Sequence, residues 1–283
     1  ILDSNQHVPF MGLSRIVILM DQVRKGLILT PGDLVECGDF LRSSRLIMKF
    51  FEKNQYQTPT LYAYSRYLPD LMEIETAIEA KISNQKIVDT ATTQLAKIRR
   101  KKIELQKEIQ EKLMKFIRHG KNKEMIKESM VVKKGEHYTV PIKASYKNKV
   151  PGTLIEESSK GQTAFIEPSA VSKLNEQLNQ LMMEETMEEY QILAELTGYL
   201  AENEAVIDQA IETITVLDCI FARGKYSREI NGVTPKVNKE ERIHLIGGRH
   251  PFLPSDAVPL NFEIGEVYRG LVITGANAGG KTV

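Results

Sequence analysis

Residues 89–119 read DTATTQLAKIRRKKIELQKEIQEKLMKFIRH, and this stretch decides the fold. It contains neither Pro nor Gly, and its apolar side chains recur at steps of three and four residues. The repeat is carried by Leu95, Ile98, Leu105, Ile109 and Phe116. This spacing predicts one long amphipathic helix from about residue 89 to residue 119, with Gly120 as its stop.

A second long helix is predicted after Pro168, where apolar residues continue at helical spacing to about residue 203. A further helix follows through residues 206–221. Between the two long helices the composition becomes rich in β-forming residues and is punctuated by glycines, which predicts a small β module of three or four strands at residues 131–167. The whole pattern indicates a long antiparallel helical lever with a β tip at its far end.

Opposite charges on the two long helices support their pairing. Residues 95–128 carry twelve Lys and Arg against five Glu, and residues 176–204 carry eight Glu and no Lys or Arg. Two such helices attract each other side by side, although each exposed pair contributes less than about 1 kcal/mol.

The rest of the chain extends this mainly α fold at both ends. Residues 11–68 indicate short helices, one of which begins at Thr30-Pro31-Gly32-Asp33, where Thr caps, Pro takes the first helical position and Asp meets the positive end of the helix dipole. Strands are expected at residues 242–246 and 271–274. The expected domains are a helical core (1–68), outgoing lever helices (69–130), a β clamp (131–167), returning lever helices (168–225) and the start of an α/β P-loop ATPase domain (226–283).

Composition excludes few functions. The chain has 283 residues, 42% of them hydrophobic and 27% charged, with a formal net charge of +1. No run approaches the ~18 apolar residues that a membrane span requires. The two cysteines are far apart, as expected of reduced thiols in a cytoplasmic protein. The chain begins without Met and stops one residue after its clearest motif, so we expect both ends to be internal to a longer protein and this chain alone to turn over no ATP.

That motif is G-x-x-x-x-G-K-T, a phosphate-binding P-loop. It comprises Gly275, Ala276, Asn277, Ala278, Gly279, Gly280, Lys281 and Thr282. Its glycines let backbone N–H groups turn inward around phosphates, while Lys281 would reach the β and γ phosphates of ATP. The Thr282 hydroxyl would bind Mg²⁺.

The loop also resembles that of the MutS family, whose usual form is T-G-P-N-x-G-G-K-[ST]. Asn277 and the paired Gly279-Gly280 carry this resemblance, whereas Ala276 departs from the family's Pro. Gly248-Arg249-His250-Pro251-Phe252 is similar to the family's R-H-P segment. Three further segments resemble the second bacterial MutS paralogue: residues 138–144, 161–168 and 217–223. The likeness therefore covers essentially the whole chain.

The resemblance implies a helical core, lever and clamp, followed by the opening of an ABC-type ATPase domain. It implies a homodimer that binds ATP and Mg²⁺ and closes on branched or duplex DNA, suppressing recombination, or on ribosomes and their rRNA, splitting them. The family's adenine contact would fall near Val258 and Pro259, where no aromatic residue stands. The resemblance also implies a C-terminal Smr nuclease domain, which we do not expect within these 283 residues. The alternative is a non-catalytic structural arm whose P-loop is vestigial.

Two basic clusters compete as the nucleic-acid contact. Residues 99–102 (RRKK) point around most of a helix circumference, which favours a solvated face paired with the acidic helix. The β tip is the better candidate, because six lysines fall within thirty residues beside Tyr138 and Tyr146: Lys133, Lys134, Lys143, Lys147, Lys149 and Lys160. The alternative for these lysines is ordinary protection of strand edges. The histidines show no metal spacing, and His250 has no nucleophile motif beside it.

Overall fold

The computed structural model describes residues 6–10, 13, 15–254 and 256–275. These residues form a mainly α chain with small antiparallel sheets, as expected. Its contacts divide it into one unit that includes residues 6–216 and a second that includes residues 217–275, with one helix running across the boundary. The helices are α1 (Ile16–Arg24), α2 (Pro31–Lys53), α3 (Pro59–Ser65), α4 (Met72–Lys81), α5 (Thr93–Arg118), α6 (Ser169–Glu202) and α7 (Glu204–Glu229).

The strands belong to three separate sheets. A two-residue hairpin is formed by β1 (Ile82–Ser83) and β2 (Lys86–Ile87). The β module is a four-stranded antiparallel sheet in the order β3-β4-β6-β5. Its strands are β3 (Val132–Lys134), β4 (His137–Lys143), β5 (Gly152–Glu157) and β6 (Thr163–Pro168). In the second unit, β7 (Ile243–Gly248) pairs with β8 (Leu260–Ile264).

The predicted helix start at Thr30 is confirmed. Its hydroxyl accepts a hydrogen bond from the backbone N–H of Asp33, and the Asp33 side chain accepts one from the backbone N–H of Thr30. This reciprocal capping box satisfies two of the donors that a helix leaves unpaired at its N-terminus. The expectation that residues 11–68 form only short helices is wrong, because α2 continues for 23 residues. Its apolar face, which includes Leu34, Phe40, Ile47 and Phe51, is fully buried, and this burial stabilises the helix through Gly38.

A nearly buried carboxylate ties α4 to α2. Glu75 accepts hydrogen bonds from Arg45 at 2.8 and 3.0 Å and from Arg42 at 3.1 Å, and its side chain is only 5% exposed. The hydrogen bonds from Arg45, which outweigh burial, hold the pKa of Glu75 below its ordinary value of 4.5. The ionised form therefore stabilises the fold.

The two long helices pair antiparallel, and both predicted bounds are confirmed within a few residues. Residues at the start of α5 contact the middle of α6: Thr92, the N-cap of α5, donates to Glu188 at 2.6 Å, and Arg99 donates to Glu185 at 2.9 Å. At the other end of α5, Leu113 and Ile117 share a buried cluster with Val171 at the start of α6. At ~1.5 Å per residue, the 26 residues of α5 extend for roughly 39 Å.

Arg99 anchors one end of this helix pair. It also bonds the carbonyl oxygen of Ile87 at 3.0 Å, Glu189 at 2.7 Å and Asp89, and its side chain is 19% exposed. Burial opposes the charge, but the hydrogen bonds to Asp89, Glu189 and Glu185 together outweigh it and raise the pKa of Arg99. One guanidinium therefore joins α5, α6 and the segment after β2.

We predict that Arg99→Ala lowers the free energy of unfolding by about 2–3 kcal/mol, because it leaves several half-buried hydrogen-bonding groups without their charged partner. Arg100→Ala is the matched control, since Arg100 is exposed and its one ion pair among the described residues is with Glu104 on its own helix. That change is expected to cost less than about 0.5 kcal/mol. Urea unfolding followed by circular dichroism measures both, and equal losses would contradict the anchoring role.

Stability is also predicted to fall in acid. The lowered pKa of Glu75 means that its contribution is complete above the unfolded-state value of 4.5 and is lost as pH falls through the lower folded-state value. Urea midpoints of the native chain are expected to drop between about pH 5 and pH 3, and Glu75→Gln should flatten this drop. Glu73→Gln, on the exposed side of the same helix, should leave the pH profile unchanged. A Glu75→Gln profile as steep as that of the native chain would contradict this assignment.

Candidate nucleic-acid interface

The β module presents one face to the long helices. Val140 and Ile142 of β4 and Ala164 and Ile166 of β6 alternate along their strands and are all buried. They pack against the cluster formed by Ile109, Leu113, Ile117, Val171 and Leu178. Period-two alternation therefore places the intervening side chains of the pair Pro141 and Phe165 on the opposite face.

Local backbone requirements shape the connections of the module. Gly135 and Gly161 adopt φ of +57° and +63°, a conformation that other residues adopt at a cost, and each lies in a tight turn between strands. At Gly152 the restriction is steric, since a Cβ there would lie 2.2 Å from the carbonyl oxygen of Glu167. The sequence thus fixes where the module turns and how closely β5 approaches β6.

Four of the six candidate lysines lie at one end of the module or on the two connections that leave this end, called here together the basic end: Lys143, Lys147, Lys149 and Lys160. Lys143 is the last residue of β4 and pairs in register with Thr163, the first residue of β6. The backbone N–H of Ala144 bonds the carbonyl oxygen of Gln162 at 3.1 Å, which joins the turn carrying Lys147 and Lys149 to the hairpin loop carrying Lys160. All four side chains belong to exposed residues.

The ammonium groups differ in their partners. Lys147 bonds Glu157 at 2.8 Å, and Lys149 lies 5.0 Å from the ring centroid of Tyr146. Lys143 and Lys160 have no ion pair within the part of the chain that the structure describes. The basic end therefore combines two unpaired lysines with one that is held by a carboxylate.

Lys133 and Lys134 lie apart from the basic end, on β3. Lys133 bonds Glu136 at 3.1 Å. Lys134 reaches across the sheet to Glu156 at 2.9 Å, and its ammonium lies 4.2 Å from the ring centroid of Phe165. The structure thus does not gather all six predicted lysines into one patch.

Sequence reasoning missed a further lysine at this sheet. Ile126 forms an isolated antiparallel bridge with Ile142, and the backbone N–H groups of Lys127 and Lys143 complete it with bonds to the carbonyl oxygens of Pro141 and Met125 at 2.9 Å. The exposed Lys127 therefore lies next to the end of β4. The signal was Met125-Ile126, an apolar pair inside a charged segment.

Behind Lys134, a polar network attaches the module to α6. Glu167 is buried and accepts a hydrogen bond from Asn175 at 2.8 Å, and its carboxylate lies 2.5 Å from the Nδ1 atom of His137. Asn175 also bonds both the N–H and the carbonyl oxygen of Tyr138 at 3.3 Å. This side-chain amide thus substitutes for a neighbouring strand and fixes the sheet on the helix.

The side chains of the competing basic cluster, residues 99–102, point to different sides of α5, as helical geometry predicts. Arg99 and Lys102 turn inward and pair with Glu185, while Arg100 and Lys101 are exposed. The interpretation of this cluster as a face paired with the acidic helix is confirmed for Arg99 and Lys102.

The predicted nucleotide site comprises the P-loop and the expected adenine position. Of the P-loop, Gly275 is described and has φ of +151°, which few residues other than glycine adopt. Ala276, Asn277, Ala278, Gly279, Gly280, Lys281 and Thr282 lie outside the described residues. Val258 and Pro259, the expected adenine position, are exposed.

The strand expected at residues 271–274 is not formed, so this prediction is wrong. A strand requires a hydrogen-bonding neighbour, and within the described residues β7 and β8 pair only with each other. The strand near residue 243 is confirmed, whereas β8 was missed despite the alternation of Leu260, Phe262 and Ile264.

Other chemistry finds no centre in the described residues. They contain no group of three metal-binding side chains, and none of their helices is long and apolar enough to cross a membrane. Burial raises the pKa of Cys37 to about 12, so its thiol stays protonated at neutral pH.

Comparison with known proteins supports the resemblance found in the sequence. A protein named Endonuclease MutS2 from Pelotomaculum thermopropionicum is 37% identical over 266 residues, which cover 93% of this chain and 34% of that protein. Proteins of the same name from Clostridium botulinum and Halothermothrix orenii are 33% and 32% identical over the whole chain and 36% and 37% of their own length. The chain belongs to the MutS2 family. None of the protein-family models matches it.

This MutS2 chain spans about a third of the length of those relatives. The relatives are named endonucleases, and the resemblance in the P-loop concerns a different chemistry, that of nucleotide binding.

Proposed function

We propose that this chain is the part of a MutS2-type ATPase that binds nucleic acid with the basic end of its β module. We also propose that it contains the first part of the nucleotide-binding site. The observation that carries the proposal is that Lys143, Lys147, Lys149 and Lys160 are exposed and lie at one end of the sheet or on the connections that leave it. Such a cluster provides the sequence-independent attraction to phosphates that dominates nucleic-acid affinity.

Residue chemistry favours the backbone over the bases as the contact. Residues 131–167 contain six lysines and no arginine, and Lys acts on phosphate as a point charge. The aromatic rings of residues 131–167 are already in contact with other side chains. Lys134 lies over Phe165, Lys149 lies over Tyr146, and Tyr138 is half-buried against the helices. Base stacking needs an open ring, so a backbone contact to duplex DNA or to rRNA fits this surface better.

The nucleotide part of the proposal rests on the P-loop sequence. Residues 275–282 would bind ATP, with Lys281 on the β and γ phosphates and Thr282 on Mg²⁺. In the full-length protein, a homodimer would couple ATP binding to closure on branched DNA or on ribosomes in the cytoplasm. The nuclease activity in the relatives' name would reside in the part of their length that this chain does not cover.

Charge reversal tests the grip. Replacing Lys143, Lys147 and Lys149 by Glu is predicted to weaken binding of a short labelled duplex by at least about tenfold, because each phosphate contact contributes a slope near −0.9 in log K against log salt. Fluorescence anisotropy across a series of KCl concentrations should show a lower affinity and a flatter salt dependence.

The matched control reverses Arg100, Lys101 and Lys107, three exposed residues of α5, and so changes the net charge equally. Its affinity should stay within about threefold of the native chain, because these side chains do not converge on one ligand. A larger loss in the control than in the module variant would place the binding surface on the helix.

The nucleotide site is tested in the full-length protein. Lys281→Ala should abolish most ATP turnover, because the cation on the β and γ phosphates is lost. Lys236→Ala changes an exposed lysine in a loop and should leave turnover intact. Native protein without turnover would instead support the structural arm with a vestigial P-loop.

A further inference from the structure

Two carboxylates of β5 pair with lysines of the β module, and one of these lysines belongs to the basic end. Glu157 bonds Lys147 of the basic end at 2.8 Å, and Glu156 bonds Lys134 of β3 at 2.9 Å. β5 is an edge strand of the sheet, and both glutamates are exposed. Glu157 therefore lies where a phosphate that approaches Lys147 would meet it.

The irregularity of β5 explains how successive glutamates reach different lysines. The pairing register shifts between Leu154 and Glu156, which sets Glu156 opposite Phe165 and Glu157 opposite Ala164. Glu156 thus meets the ammonium that lies over the Phe165 ring, whereas Glu157 meets Lys147 beyond the end of β4. Each carboxylate has its own lysine, so the two pairs can be tested independently.

In the free protein, ion pairs with carboxylates reduce the repulsion among the ammonium groups of the lysines. Four ammonium groups at the basic end repel one another, and Glu157 is the carboxylate that bonds one of them. The pairs are solvated, with side-chain exposures of 41% and 37% for Lys147 and Glu157, and such pairs are weak and easily exchanged. A phosphate of the ligand can replace the carboxylate, but the displaced glutamate stays nearby and repels it.

We propose that Glu157 competes with nucleic acid for Lys147 and so limits the affinity of the basic end, whereas Glu156, whose lysine lies apart from the basic end, does not compete. This inference rests on the proposed function and assigns its affinity to a balance between phosphates and internal carboxylates. The consequence is that neutralising Glu157 strengthens binding, although it removes an ion pair from the structure.

The test compares Glu157→Gln with the native 283-residue chain, using a short labelled duplex in a series of KCl concentrations. The change should tighten binding by about three- to fivefold, the effect of releasing an exposed ion pair, and steepen the salt dependence by up to about one unit. Glu156→Gln, the matched change on the same strand, frees Lys134, which lies apart from the basic end, and should change binding much less, as should Glu104→Gln on the exposed side of α5.

A double-mutant cycle identifies the cause. In the Lys147→Gln background, Glu157→Gln should have no further effect. The thermal midpoint of each variant is measured together with its affinity. If Glu157→Gln unfolds the sheet, the test is repeated with Glu157→Thr, because Thr is a residue typical of strands.

Failure of this inference can be told from failure of the proposed function. Unchanged or weaker binding by Glu157→Gln, or tightening that persists without Lys147 or equals that of Glu104→Gln, overturns the competition. The proposed surface itself is overturned only if reversal of Lys143, Lys147 and Lys149 also leaves binding unchanged.

Discussion

The antiparallel packing of α5 on α6 is the contact on which the first unit depends. A four-stranded sheet of this size has one buried face and would expose it without the two helices, because Val140, Ile142, Ala164 and Ile166 have no second sheet to cover them. The helices in turn need a fixed register, which hydrophobic packing alone specifies weakly along a regular stripe. Arg99 supplies it at one end, and the Glu167–Asn175 network supplies it at the other.

Charge has two separate uses along this pair. Inward-facing Arg99 and Lys102 are consumed in pairing with Glu185, so they hold the helices together and are not available to a ligand. The lysines of the basic end remain exposed and are only partly neutralised. A net charge of +1 over the whole chain therefore conceals a strongly uneven distribution, in which basic and acidic segments largely cancel in the sum but not on the surface.

Much of the first unit could be predicted from the sequence, because its long helices carry a strict apolar repeat and its strands are bounded by glycines. Lengths controlled by tertiary burial could not, as α2 shows. Nor could the separation of Lys133 and Lys134 from the other lysines, since strand order, rather than spacing along the chain, decides which residues meet. The missing strand at residues 271–274 has the same origin: an apolar run predicts a strand only when a partner edge is present. For the proposed sites, the sequence identified the lysines. The carboxylates that pair with two of them became visible only with the register of β5.

The geometry of the helix pair also has a consequence for the order of folding. Ile117 and Val171, which share a cluster near the β module, are 54 residues apart, whereas Thr92 and Glu188 at the other end are 96 apart. Closing the shorter loop first costs about 0.5 kcal/mol less chain entropy, and every later contact then adds only one helical turn to a loop already closed. The pair should therefore zip from the sheet toward Arg99, so that the most highly charged contact of the first unit forms late and governs how fast the helices separate more than how fast they meet.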